Sequence, residues 1–273
     1  MSRIKHTFET LKSQHKAALI PFITAGDPDA QMTVQIMHGL AAAGADIIEL
    51  GIPFSDPMAD GPAIQRASER ALKQGLSLKD VLSIVSEFRS GNTATPVVLM
   101  GYANPVERMG YNNFAQAAAT AGVDGVLLVD LPPEESVAGT LVSAGMDNIL
   151  LLSPTTPEAR MKLVAQQASG FVYYVSLKGV TGSASPDLTE VAQRIALIRK
   201  CCDVPVGVGF GVRDAATAAA IAQFADAVII GSRLVEAIEA SPREKVLANL
   251  TVFMAEVRTT MDSCSRVYKK DKT

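Results

Sequence analysis

The sequence predicts a closed (β/α)8 barrel with an extra N-terminal helix and extra helices after strands two and eight. Three observations carry that prediction. Eight short apolar runs recur along the 273 residues, at 18–23, 47–50, 97–101, 126–130, 149–153, 172–177, 204–209 and 227–231. Each is continuously hydrophobic rather than alternating, the pattern of strands covered on both faces. The intervening segments carry helical spacing, so strand and helix alternate and the sheet is parallel. No linker or low-complexity stretch divides the chain, so the prediction is one domain, 1–273, with a frayed tail at about 265–273.

Residues 2–14 are expected to form a helix over the N-terminal mouth of the barrel, carrying His6 and His15. Val34, Met37, Leu40 and Ala41 form an apolar stripe that stops at Gly44. The long interval between the second and third runs holds an acidic loop and two helices, 62–73 and 78–90. In the second of these, Leu78, Val81, Leu82, Val85 and Phe88 follow the i, i+3, i+4, i+7 rule. A further helix over 134–144 enters after Pro132 and Pro133 and leaves at Gly145. An open doubly wound sheet is the alternative architecture, but the turn at 24–28 lacks its Gly-rich fingerprint.

Composition narrows the function. With 48% hydrophobic and 19% charged residues, the chain suits a large buried core and not a disordered state. A net charge of −3 without a basic block argues against nucleic acid as a partner; Lys269, Lys270 and Lys272 read as a solvated end. No run of about 18 apolar residues predicts a membrane span, and the charged N-terminus lacks a signal-peptide core. Cys201, Cys202 and Cys264 have no metal-ligand spacing and predict reduced thiols in the cytoplasm.

Barrel active sites lie where the strands end. The second strand ends at Glu49 and opens into a loop holding Asp56 and Asp60, three acids within twelve residues. An acid on an inward strand position is costly unless paired, hydrated or used. Burial should raise the pKa of Glu49, while Asp60 in its polar loop should stay ionised, a division suited to acid and base roles. Asp56 could organise its turn or face a partner, and Asp130 could be catalytic or cap a helix. The seventh and eighth runs lead into Gly209, Phe210 and Gly211 and into Gly231 and Ser232, where backbone N–H groups can seat a phosphate. The small-residue loop from Thr181 to Pro186 is a candidate lid or an ordinary connection. His6, His15 and His38 all precede the second strand, which excludes a Ser-His-Asp triad and most histidine-built metal sites. Carboxylates, tyrosines and Lys178 remain as proton carriers.

These motifs resemble the α subunit of tryptophan synthase over nearly the whole chain: PFITAGDP at 21–28, ELGIPFSDPMADGP at 49–62, LMGYANP at 99–105, DLPPEES at 130–136, GVTG at 179–182, GVGFG at 207–211 and GS at 231–232. The resemblance implies a lyase that cleaves indole-3-glycerol phosphate to indole and glyceraldehyde 3-phosphate. It implies that Glu49 is the general acid/base, that Asp60 holds the indole N–H, and that Tyr173 stands beside them. Thr181, Gly182, Phe210, Gly211, Gly231 and Ser232 would bind the phosphate end, and Phe22 and Ile64 would wall the indole site. No cofactor or metal is implied in this chain; pyridoxal phosphate belongs to a partner β subunit in an α2β2 complex. Pro53, Asp56, Pro57, Asn104 and Pro132 would face that partner. Leu177 departs from members that carry arginine there, with Lys178 next to it. Two rival readings are a Schiff-base aldolase using Lys178 and a non-catalytic regulatory barrel.

Overall fold

Parallel pairing runs unbroken around the sheet of the computed structural model, which describes residues 2–135, 137–175, 188–209 and 211–264. In chain order the elements are α1 (Arg3–Ser13), β1 (Ala18–Thr24), α2 (Ala30–Ala42), β2 (Ile48–Gly51), α3 (Pro62–Lys73), α4 (Leu78–Gly91), β3 (Val97–Gly101), α5 (Ala103–Met109) and α6 (Tyr111–Ala121). Then follow β4 (Gly125–Leu128), α7 (Ala138–Ser143), β5 (Asp147–Asn148), β6 (Leu150–Leu152), α8 (Glu158–Gln167), β7 (Val172–Val175) and α9 (Leu188–Ile198). The described chain closes with β8 (Val206–Gly209), α10 (Ala215–Ala222), β9 (Ala227–Ile230), α11 (Ser232–Ala240) and α12 (Val246–Ser263).

The strand order is β5-β4-β3-β2-β1-β9-β8-β7-β6. Where one fifth strand is predicted at 149–153, the chain forms two short strands on either side of Ile149, the first of them at 147–148, ahead of the predicted run. Asp147 and Asn148 pair with β4, whereas Leu150–Leu152 pairs with β7. The chain changes partner at Ile149, whose N–H donates to the Val126 carbonyl at 2.9 Å. The two pieces share one strand position, and the (β/α)8 barrel is nearly closed there.

Alternation along the strands sorts the core into two layers. Ala18 and Ile20 of β1 pack inside the barrel with Ile47, Val98, Leu127 and Phe171, while Leu19 and Ile23 face the helix ring. Helix α1 begins at Ser2, whose hydroxyl accepts from the Lys5 N–H at 3.2 Å. It inserts Ile4, Phe8 and Leu11 into the lower end of the inner core, so it plugs the mouth opposite the strand ends. His15 lies outside that helix: the helix ends at Ser13, and His15 has φ of +57°.

Helix α3 carries proline at its first turn, and α4 starts with a Ser77–Asp80 capping box. The helix expected over 134–144 is shorter than predicted. The Glu135 N–H closes on the Pro132 carbonyl at 2.9 Å, a 3-10 turn, and the α-helix starts only at Ala138. Asp130 leaves the strand and accepts the Ala103 N–H at 2.8 Å, which caps α5 rather than the helix that follows it. The C-terminal tail expectation concerns residues outside those described.

Candidate active site

Glu49 is 1% exposed, on β2 beside Phe22 of β1 and Val98 of β3. Neither carboxyl oxygen has a hydrogen-bond partner among the described residues. Burial, then the nearby Asp60 charge, push its pKa up to about 8. It is thus an acid at neutral pH, set inside the barrel without a hydrogen-bond partner among the described residues.

Asp60 is less sheltered, yet the polar loop does not leave it at an ordinary value. Burial raises its pKa to about 6, and a hydrogen bond from the Tyr102 hydroxyl to Oδ2 at 3.1 Å opposes the rise. Tyr102 also accepts the Ala59 N–H at 3.0 Å and stacks on Phe54 with ring centroids 5.1 Å apart. The Gln65 side chain donates to the Asp60 carbonyl at 2.8 Å, which ties the loop to α3. Tyr102 stands at the end of the third run, and the sequence alone assigns it no role. Its signal was its position immediately after β3, beside the Asn104 that was singled out.

Phe22 and Ile64 pack together with Ala63, Ala67 and Val235. Phe22, Ile64, Asp60, Met100 and Tyr102 line one pocket at the strand ends. Gly51 leaves room for this arrangement, since a Cβ there would lie 2.6 Å from the Phe22 ring. Tyr173 is buried on β7, and burial together with the Glu49 and Asp60 charges raises its pKa well above the ordinary range, so it stays a neutral phenol. A Cβ at Gly209 would sit 2.2 Å from the Tyr173 hydroxyl. Gly209→Ala is therefore expected to displace the buried ring and lower turnover at least about tenfold; an indole-release assay with wild-type rates would contradict this placement.

Gly231 precedes α11, whose first residue is Ser232, and Gly211 has φ of +77°. The first N–H groups of α11 have no intrahelical carbonyl to meet, so this end suits an anion. Phe210, Thr181, Gly182, Leu177 and Lys178 lie outside the described residues. His38 packs on the Phe88 ring, 4.8 Å between centroids, on the outer helix layer. Among the described residues no three His, Cys, Asp or Glu side chains converge as a metal site.

The residues expected to face a partner fall into two groups. Asp56 and Asn104 are exposed, and Pro57 and Pro132 are half-buried, whereas Pro53 is buried within the chain. Met58, next to Pro57, is 79% exposed.

Known proteins decide the family. A family model described as "Tryptophan synthase alpha chain" matches residues 8–262. The chain belongs to the tryptophan synthase alpha chain family. It is 61% identical over 268 residues to the tryptophan synthase alpha chain of Thiobacillus denitrificans, covering 97% of this chain and 98% of that protein. To the Cupriavidus taiwanensis alpha chain it is 63% identical over 265 residues, with 96% and 100% covered. The crystal structure of the alpha subunit from Legionella pneumophila str. Paris superposes with a TM-score of 0.90 at 45% identity, over 96% of this chain and 99% of that one. A chain of the tryptophan synthase complex from Pyrococcus furiosus gives 0.82 at 38%, over 90% and 99%. As a tryptophan synthase alpha chain it is a carbon–carbon lyase of tryptophan biosynthesis, cleaving indole-3-glycerol phosphate to indole and glyceraldehyde 3-phosphate. The Schiff-base aldolase and the non-catalytic barrel are not favoured by this kinship.

Proposed function

We propose that Glu49 and Asp60 divide the work of this retro-aldol cleavage. The observation that carries the reading is the pairing of a fully buried Glu49, without a hydrogen-bond partner among the described residues, with a carboxylate held by Tyr102. Protonated Glu49 delivers its proton to C3 of the indole ring, which makes the ring nitrogen cationic. Ionised Asp60 accepts the N–H there and stabilises that charge. The Glu49 carboxylate then takes the proton of the side-chain hydroxyl. The oxygen electron pair forms the aldehyde, the C–C bond breaks, and its electrons restore the aromatic ring. Tyr173 orients the reacting end, and Phe22 and Ile64 hold the ring. Gly211, Gly231 and Ser232 bind the phosphate, and Phe210, Thr181 and Gly182 take the same role on the family resemblance.

Because Asp60 must be ionised and Glu49 protonated, kcat/KM should rise through about 6 and fall through about 8. The two limbs belong to the coupled pair. Asp60→Asn should lower kcat by about two orders of magnitude and remove the acid limb. Indole release measured across pH by Asp60→Asn at wild-type rates would reject the assignment.

The same reading makes the chain one barrel domain, cytoplasmic, and the partner of a tryptophan synthase β subunit in an α2β2 assembly, with pyridoxal phosphate held by β. The exposed Asp56 and Asn104, with Met58, Pro57 and Pro132, support the choice of face, with Pro53 behind them.

A further inference from the structure

Thr24 is the last residue of β1 and shares the inward side of that strand with Ala18, Ile20 and Phe22. It is 1% exposed, and its Oγ1 has no hydrogen-bond partner among the described residues. Valine has nearly the same shape and no hydroxyl to desolvate, so packing alone gives no reason for threonine here. Thr24 lines the pocket that Asp60 also lines. Ser68 of α3 borders the same pocket, is 4% exposed, and lies one helical turn from Ile64. Thr24, Ser68 and Asp60 therefore border this cavity beside Tyr102, whose hydroxyl already bonds the Asp60 carboxylate. That number of partners is what a buried water needs.

We propose that the Thr24 and Ser68 hydroxyls hold one water against the Asp60 carboxylate, which makes Thr24 a positioning residue for the acid on the indole side. The proposal rests on the role given to Asp60 above. The water accepts from one hydroxyl and donates to the carboxylate, supplementing the bond from Tyr102. The contribution is greatest when the ring nitrogen is cationic, so it acts on kcat more than on KM. The groups whose titration bears on Asp60 are Glu49 from β2, Tyr102 after β3 and Tyr173 from β7. A donor to the ionised carboxylate favours the charged form, so its loss moves the acid limb upward.

The test uses the full chain, alone and with a tryptophan synthase β subunit added, and compares Thr24→Val, Thr24→Ser, Ser68→Ala and Asp60→Asn. Thr24→Val should keep the wild-type Tm or exceed it, because the Thr24 hydroxyl bonds none of the described residues. Its kcat should fall about fivefold to tenfold, and the acid limb of kcat/KM should move up by about half a pH unit or more. Thr24→Ser should restore both, and Ser68→Ala should follow Thr24→Val. Wild-type kcat and acid limb in Thr24→Val, beside an impaired Asp60→Asn, would overturn this proposal alone. A clearly lowered Tm in Thr24→Val would also overturn it, since the hydroxyl would then be bonded within the fold. Wild-type rates in Asp60→Asn would overturn the Asp60 reading and this one with it.

Discussion

Glu49→Gln is expected to lose turnover by about 10²–10⁴-fold, the contribution of a general acid–base group, while gaining stability relative to wild type as pH rises. The sign follows from linkage. The folded pKa is about 8 and the unfolded one 4.5, so between these values the unfolded chain has released a proton that the native chain still holds. Wild-type stability therefore falls as pH rises through that window, by about 1.4 kcal/mol per pH unit at most. Above about 8 both states are ionised and the loss levels off. Glutamine stays neutral throughout, so the variant lacks this decline. Urea unfolding at pH 6 and pH 9 should show the gap between variant and wild type widening by a few kcal/mol. Parallel pH curves would show that burial does not hold the proton on Glu49. A buried acid is costly to keep charged, and that cost is what makes it available to protonate carbon.

Arg70→Met should be among the most destabilising single changes. Asp27, at the turn after β1, is 0% exposed and receives both Arg70 Nε and a terminal guanidinium nitrogen at 2.8 Å. Arg70 is itself part-exposed and also bonds Glu239, but its loss leaves the buried Asp27 carboxylate uncompensated, at a cost of about 3–5 kcal/mol. A shift of the urea midpoint corresponding to less than about 1 kcal/mol would place the pair in the class of solvated ion pairs. Arg66 supplies the internal control: it binds Glu239 through two nitrogens at the surface, and Arg66→Met should leave the midpoint nearly unmoved. The Arg70 link matters for the site because α3 carries Ile64 and Ser68, and Gln65 of the same helix holds the Asp60 carbonyl. A loosened α3 should therefore also lower kcat in whatever fraction of Arg70→Met folds.

Asp130 and Tyr102 mark where sequence reasoning stopped. Asp130 was legible as either a cap or a catalytic acid. The bond that decides it goes to Ala103, 27 residues away in sequence at the start of α5. Tyr102 was legible only as a residue at a strand end; its hydroxyl reaches Asp60 across 42 residues. The split of the fifth strand likewise depends on which neighbours are reached on either side of Ile149. The Asp27–Arg70 pair spans 43 residues and had no local signature.

For the stretch at 49–62, the sequence by itself determined the strand, the inward placement of Glu49 and the acidic loop, because hydrophobic runs, prolines and glycines act through local backbone preference and burial. It also determined the family, through motifs spread along the chain. Only the tertiary structure decided that neither Glu49 nor the Thr24 hydroxyl has a hydrogen-bonding partner among the described residues, that Tyr102 holds Asp60, and that Thr24 and Asp60 line the same pocket. Those are properties of desolvation and of contacts between distant segments, and they exist only once the strands have closed around the site.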